Sequence, residues 1–130
     1  MKAIGWIAVT SILLVSSAQA QDEKVPESAK QLKGNEIASF LDGKTFDVVV
    51  YDAGAPLTAT TIWNWKQKKV TGTYDYNGQK GEINNDWIVK GDTSCAEKSQ
   101  KRKWICQKVF VDGSTMYEVN AKGKLHAISK

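Results

Sequence analysis

Regularly spaced turn signals constrain the fold of this chain more than any other feature of its sequence. Beyond Gly43, short stretches rich in β-branched and aromatic residues end at clusters of glycine, asparagine, aspartate or proline. The strongest signal is Asn77-Gly78, because both central residues of a tight type I′ turn need positive φ. This turn predicts a hairpin in which Asp75 lies opposite Lys80 and Tyr74 lies opposite Gly81.

The stretches between the turns predict about eight short antiparallel strands joined to their nearest neighbours. Residues 58–66 and 70–76 form one predicted hairpin, in which a turn at Gln67-Lys68 places Trp63 opposite Gly72. This spacing favours a mainly β fold, either a small up-and-down barrel or a strongly curved meander, over a Greek-key sandwich.

One short helix is predicted before the first strand. Asn35 is the expected N-cap, Ile37, Phe40 and Leu41 form an apolar stripe, and Gly43 supplies the left-handed residue at the helix end. We expect the stripe to cover one end of the β structure.

The N-terminal region has the features of a secretory signal peptide. Lys2 precedes a short apolar segment, and Ala18-Gln19-Ala20 matches the small-x-small pattern of a cleavage site. The apolar segment is shorter than the roughly 20 residues that a membrane span requires. We expect residues 1–20 to be removed, residues 21–31 to form a flexible leader, and residues 32–130 to form a single domain. The protein is then periplasmic or secreted, with no stable membrane anchor.

Cys95 and Cys106 are the only cysteines in the chain. In an exported protein an isolated pair predicts a disulfide bond. A metal site would need further thiols or imidazoles, and His126 is the only histidine. We therefore expect neither a metal nor a cofactor.

Charge gives a mild constraint on partners. Removing residues 1–20 removes Lys2 and lowers the formal net charge from +4 to +3. This small excess argues against a nucleic-acid partner. We expect a monomer.

No catalytic constellation is evident in the sequence. Nucleophilic catalysis needs a nucleophile, an adjacent base and an orienting group. Both cysteines are assigned to the disulfide, and His126 is predicted to be a solvent-facing residue of the last strand. Five carboxylates are candidates for an acid–base pair. Nearly all of them fall in turns or opposite lysines, where solvated pairing explains their presence: Asp52, Asp75, Glu82, Asp86 and Asp112. The sequence therefore favours a protein that is not an enzyme.

Two groups of residues are candidates for binding. The first is the set of tryptophans beyond the signal peptide, Trp63, Trp65, Trp87 and Trp104. They either fill the interior of a small barrel or line an aromatic cavity for a small apolar ligand. The second is the set of basic residues in the loop that the disulfide closes, Lys98, Lys101, Arg102 and Lys103. This loop is either simply solvated or a constrained basic element that contacts an acidic macromolecule.

These candidates give two hypotheses for function. The first is a non-catalytic binding or inhibitor-type module that recognises a macromolecule, such as a protein, through turns and the basic loop. The alternative is a lipocalin-like carrier of a small apolar ligand. An aromatic-lined void of about 300 Å³ or more would favour the carrier, and a filled interior would favour surface recognition.

Several motifs together resemble a known family. They are Phe40-Leu41-Asp42-Gly43-Lys44-Thr45, Gly72-Thr73-Tyr74, Trp87-x-Val89-x-Gly91-Asp92 before Cys95, then Cys106, and Asp112-Gly113 leading to Tyr117. The set resembles a family of small periplasmic proteins of Gram-negative bacteria that is classed as a domain of unknown function. This resemblance implies an exported β fold with a Cys–Cys bridge and no established activity. The chain is more faintly similar to periplasmic lysozyme inhibitors, but Gly113-Ser114 reverses the order of their inhibitory Ser-Gly loop.

Overall fold

Eight antiparallel strands close into a barrel in the computed structural model, which describes residues 23–98 and 103–130. A two-residue strand and one short helix precede the barrel strands. The elements in chain order are β1 (Lys30–Gln31), α1 (Asn35–Leu41), β2 (Thr45–Val50), β3 (Leu57–Asn64), β4 (Lys69–Tyr76), β5 (Gln79–Lys90), β6 (Thr93–Lys98), β7 (Trp104–Asp112), β8 (Thr115–Val119) and β9 (Leu125–Ser129).

The topology is up-and-down. Each strand from β2 to β8 pairs with the next strand in the sequence, and β9 pairs with β2 to close the sheet. Closure leaves no unpaired barrel edge that could recruit another chain. The predicted mainly β barrel with one short N-terminal helix is confirmed.

Alternating side chains divide each strand between the barrel interior and solvent. In β2, Phe46 and Val48 are buried while Asp47 and Val49 are exposed. The same alternation continues through the register, because residues directly opposite each other on neighbouring strands point to the same face. It defines which side chains line the barrel lumen.

The predicted Asn77-Gly78 hairpin is confirmed. Asn77 and Gly78 have φ of 52° and 91°, and Tyr76 pairs with Gln79. Asp75 lies opposite Lys80, and Tyr74 lies opposite Gly81. The Tyr74 ring occupies the space that a side chain at position 81 would need.

The predicted register of the preceding hairpin is wrong by two residues. The turn spans residues 65–68 rather than Gln67-Lys68, so Trp63 lies opposite Val70 and Gly72 lies opposite Thr61. A longer turn was missed because Lys68, with φ of 56°, adopts a left-handed conformation that its residue type does not signal. Since side chains alternate with a period of two, the inward-facing set is unchanged.

The helix covers one end of the barrel, as expected. Ile37 and Leu41 are fully buried and pack in one cluster with Phe46 and Trp87. The N-cap prediction is wrong by one residue, since the helix begins at Asn35 and Gly34 occupies the cap position without a side-chain hydrogen bond. A Glu36 oxygen instead accepts from the backbone N–H of Lys33 at 3.0 Å.

The end of the predicted flexible leader is held against the barrel. Lys30 and Gln31 of β1 pair with Val111 and Phe110 of β7, and Leu32 is buried. Lys30 and Gln31 therefore belong to the sheet and not to the flexible leader predicted over residues 21–31, because β1 pairs with β7 beyond the end of β6. The predicted signal peptide, residues 1–20, lies outside the described residues.

The predicted disulfide is confirmed. Cys95 and Cys106 lie directly opposite each other on β6 and β7, with their Cα atoms 4.0 Å apart. The bond therefore joins two neighbouring strands of the barrel wall. In the part of the chain that is described, no helix has the length and apolar character needed to cross a membrane.

Candidate functional site

The barrel lumen contains a cavity of about 930 Å³. Its lining comes mainly from inward-facing positions of strands β2 to β9, and it also includes Glu82 and Asn84 of β5, which face outward by register. Cavities that hold small organic ligands span roughly 300–1,000 Å³, so this volume lies in their upper range. The lumen is therefore the first candidate for a functional site.

Aromatic side chains form the floor of the cavity at the helix end. The rings of Trp63 and Trp65 each meet the Trp87 ring edge-on, with centroids 4.9 and 5.0 Å away. Trp63 Nε1 donates to Thr61 Oγ1 and Trp87 Nε1 donates to Ser94 Oγ, both at 3.0 Å. These bonds satisfy both indole N–H groups within the protein. The floor is thus a structural cluster, with Trp63 exposed to the cavity.

The opposite end of the barrel is the mouth of the cavity. Three side chains there face inward by register yet are well exposed: Tyr74 at 37%, Tyr76 at 38% and Ile105 at 50%. An inward-facing side chain can be this exposed only where solvent enters the barrel. The cavity is therefore closed by the tryptophan floor and open at the mouth.

The two sides of the lumen differ in polarity. Strands β2 to β5 contribute mainly apolar and aromatic side chains, among them Val48, Val50, Leu57, Ala59, Tyr74 and Ile83. Strands β6 to β9 contribute the buried polar side chains Ser94, Gln107, Glu118 and Ser129. One wall can pack against an apolar body while the other can form hydrogen bonds.

Glu118 is the charged residue buried in the polar wall. It lies on β8 between Val109 of β7 and Ala127 of β9, and it is 9% exposed. Burial raises the pKa of its carboxyl group; a charged His126 opposes this rise and the negative charge of Asp52 adds to it. The carboxyl lines the cavity, and His126 is the charged group that favours its ionised form.

Two buried polar atoms of the wall lack hydrogen-bond partners. Gln107 Oε1 and Ser129 Oγ are buried and form no hydrogen bond among the residues described. Native proteins leave few buried polar atoms unpaired, since each costs about 1–3 kcal/mol. These two atoms leave the polar wall incomplete without a further group in the cavity.

A histidine–aspartate pair stands at the mouth. Asp52 Oδ1 accepts from His126 Nδ1 at 2.6 Å, and Asp52 Oδ2 accepts from Asn120 Nδ2 at 2.8 Å. The prediction of a solvent-facing histidine is wrong, because His126 is half-buried and lines the cavity. Asp52 holds the imidazole there across a sequence separation of 74 residues. No local pattern reveals such a pair.

The sequence-predicted binding residues are divided among several places. Trp63 lines the cavity, whereas Trp65 and Trp87 belong to the floor. Trp104 pairs with Glu97 and lies on the outer face of β7 by register. The structure therefore does not bring the four tryptophans into one cavity wall.

The basic loop is described only at its two ends. Lys98 is the last residue of β6, and Lys103 is exposed immediately before β7. Lys101 and Arg102 lie outside the described residues. The hypothesis of a constrained basic element over residues 97–103 stays a prediction.

A second concavity, of about 910 Å³, lies on the outer face of the barrel. Its lining includes the outward-facing side chains of Asp47, Thr58, Thr60 and Thr73. These polar groups are accessible to water, and the buried unpartnered atoms lie on the lumen side instead. The lumen is the better candidate.

The described residues contain no group of three or more His, Cys, Asp or Glu side chains placed to hold a metal ion. The chain was also compared with protein-family models, curated proteins and solved structures, and none of the three comparisons gives a match.

Proposed function

We propose that this protein binds a small amphipathic molecule in the lumen of its barrel and acts as a carrier or sequestering protein. The observation that supports the proposal most strongly is the cavity of about 930 Å³ between the tryptophan floor and the mouth. It exceeds the volume of about 300 Å³ above which the carrier hypothesis is favoured over recognition by a filled barrel.

The polarity of the lumen supports an amphipathic rather than a purely apolar ligand. An apolar ligand would cover the wall formed by β2 to β5, but it would leave Gln107 and Ser129 without partners and would desolvate Glu118 further. A ligand with one polar end and one apolar body satisfies both walls. This refines the small apolar ligand expected from the sequence.

The proposed function is binding without chemical turnover, in an exported protein. The Cys95–Cys106 bond supports an oxidising compartment, such as the periplasm or the extracellular medium. Recognition of a macromolecule through Lys98, Lys101, Arg102 and Lys103 is a separate proposal, and it does not use the lumen.

The test is a pair of substitutions on opposite faces of β3. Ala59→Phe places a ring in the cavity, because Ala59 lines the lumen. Ile62→Phe is the control, since Ile62 faces outward and is 46% exposed. Binding of the neutral probe 1-naphthalenemethanol to each folded variant is measured by isothermal titration calorimetry.

We expect Ala59→Phe to weaken binding of the probe by about tenfold or more, which corresponds to about 1.4 kcal/mol. The Ile62→Phe variant should bind as the wild type does. Equal binding by both variants, or no binding to the wild type at millimolar concentration, would refute the lumen as a ligand site.

A further inference from the structure

We infer that the lumen selects organic cations, with Glu118 as the counter-ion of an amine at the polar end of the ligand. This inference rests on the proposed function and specifies its ligand class. The ligand would carry a protonated primary or secondary amine attached to an aromatic or aliphatic body.

The first argument is the position of Glu118 within the polar wall. In the register of β7, β8 and β9, Gln107 and Ser129 are its diagonal neighbours, two residues from Val109 and Ala127. The three side chains form one patch on three adjacent strands and all line the cavity. Gln107 and Ser129 lie on opposite sides of Glu118 along the strands. An ammonium group has three N–H donors and no acceptor, so it can donate to Glu118 and to an oxygen atom of one of these neighbours.

The second argument is the charge of the cavity lining. Among the described residues that line the lumen, none is a lysine or an arginine. The charged groups that act on Glu118 are His126 and Asp52, and Asp52 is already bonded to His126. Burial disfavours the ionised form of the Glu118 carboxyl, and a cationic ligand would offset that cost.

The third argument is that the opposite wall suits the rest of such a ligand. Tyr74 and Tyr76 stand at the mouth, and Trp63 faces the cavity from the floor. Their rings offer apolar surface to an aromatic body, and aromatic faces also attract cations. The ligand would therefore lie across the lumen with its amine toward β8.

The test uses three probes of the same size that differ in charge. They are 1-naphthylmethylamine, 1-naphthalenemethanol and 1-naphthoic acid, which are cationic, neutral and anionic at pH 7.5. Their affinities are measured for the wild type, for Glu118→Gln and for Glu97→Gln. The last variant is the control, because it removes the same charge from the outer face of β6.

We expect the wild type and Glu97→Gln to bind the amine about tenfold or more tightly than the alcohol, and the acid most weakly. Glu118→Gln should lose the preference for the amine, so that its affinities for the amine and the alcohol lie within about twofold of each other. Raising the pH from 5 to 8 should strengthen amine binding more in the wild type than in Glu118→Gln, because the variant keeps His126 and Asp52 and lacks only the carboxyl at position 118.

The outcomes separate this inference from the proposed function. If the alcohol or the acid binds to the wild type as tightly as the amine, the cation inference is wrong and the lumen site stands. An amine preference that persists in Glu118→Gln also overturns the inference. If none of the three probes binds, the proposed function fails with it.

Discussion

Burial in the folded protein disfavours the ionised form of Glu118, whereas the proposed cationic ligand requires that form. The fold places its carboxyl among buried side chains of three strands, where burial disfavours the ionised form. Buried polar groups without partners are rare in native proteins because they lower the free energy of unfolding. A polar residue at such a position indicates a role that packing alone does not supply.

The first prediction follows from the raised pKa of Glu118. Burial raises the pKa of this carboxyl above the ordinary value of 4.5, so the folded state holds the proton more tightly than the unfolded state does. The stability that this proton contributes is fully present below pH 4.5. It is lost as the pH rises from 4.5 through the raised pKa of the folded state. Glu118→Gln does not titrate, so its stability relative to the wild type should increase between pH 4 and pH 8.

Urea unfolding of both proteins at several pH values measures this difference. The comparison between the two proteins cancels the contributions of titratable groups that do not interact with Glu118. A stability difference that is constant with pH, or that shrinks as the pH rises, would contradict a buried carboxyl at position 118.

A second prediction at the residue scale concerns Gly72. Its φ is 147°, and a Cβ atom added there would lie 1.8 Å from the backbone oxygen of Thr60. Gly72→Ala must therefore move β3 away from β4, and we expect a loss of about 2 kcal/mol or more in the free energy of unfolding. Gly123→Ala is the matched control: φ is also positive, at 81°, but the space is open.

We expect the Gly123→Ala control to lose only about 1 kcal/mol, which is the cost of the left-handed conformation alone. Thermal or urea unfolding of the two variants gives the comparison. Equal losses would show that β3 and β4 can separate at Gly72 without appreciable cost.

At the scale of the elements, turn chemistry determined what could be predicted. Asn77-Gly78 fixed both the turn and the register of its hairpin, because few residue types accept positive φ at both positions. The neighbouring turn contains Lys68 in a left-handed conformation, which the sequence does not signal, and its predicted register was wrong by two residues. The inward face was nevertheless correct, since it depends only on the period of two.

The disulfide gives the prediction at this scale. Cys95 and Cys106 join β6 and β7 across a sequence separation of 11 residues. Replacing both cysteines with serine should lower the free energy of unfolding by about 2–3 kcal/mol, because the bond restricts the unfolded chain. The double variant leaves no free thiol, and it should still bind 1-naphthalenemethanol because neither cysteine lines the lumen.

Urea unfolding measures the stability, and calorimetry measures the binding of the same samples. A thiol assay on the oxidised wild type is the control and should detect no reactive thiol. Stability equal to that of the wild type would mean that the bond contributes nothing to the barrel.

At the scale of the whole molecule, closure of the sheet creates the candidate site. The strand count and nearest-neighbour order followed from the spacing of turns, so the barrel itself was predictable. The cavity and its polar wall were not, because they depend on contacts between distant residues such as Asp52 and His126. Glu118 gave no signal, since Tyr117 and Val119 on the outer face are as apolar as Met116 on the inner face.

The most direct test is to locate a bound ligand with the indole N–H signals of the tryptophans. Trp63 lines the lumen, whereas Trp104 lies on the outer face of β7. Titration of the isotope-labelled protein with 1-naphthylmethylamine, followed by two-dimensional ¹⁵N NMR, should shift the Trp63 signal in a saturable manner and leave the Trp104 signal in place. A saturable shift of Trp104 alone, or no shift of Trp63 while the ligand binds, would contradict a binding site in the lumen.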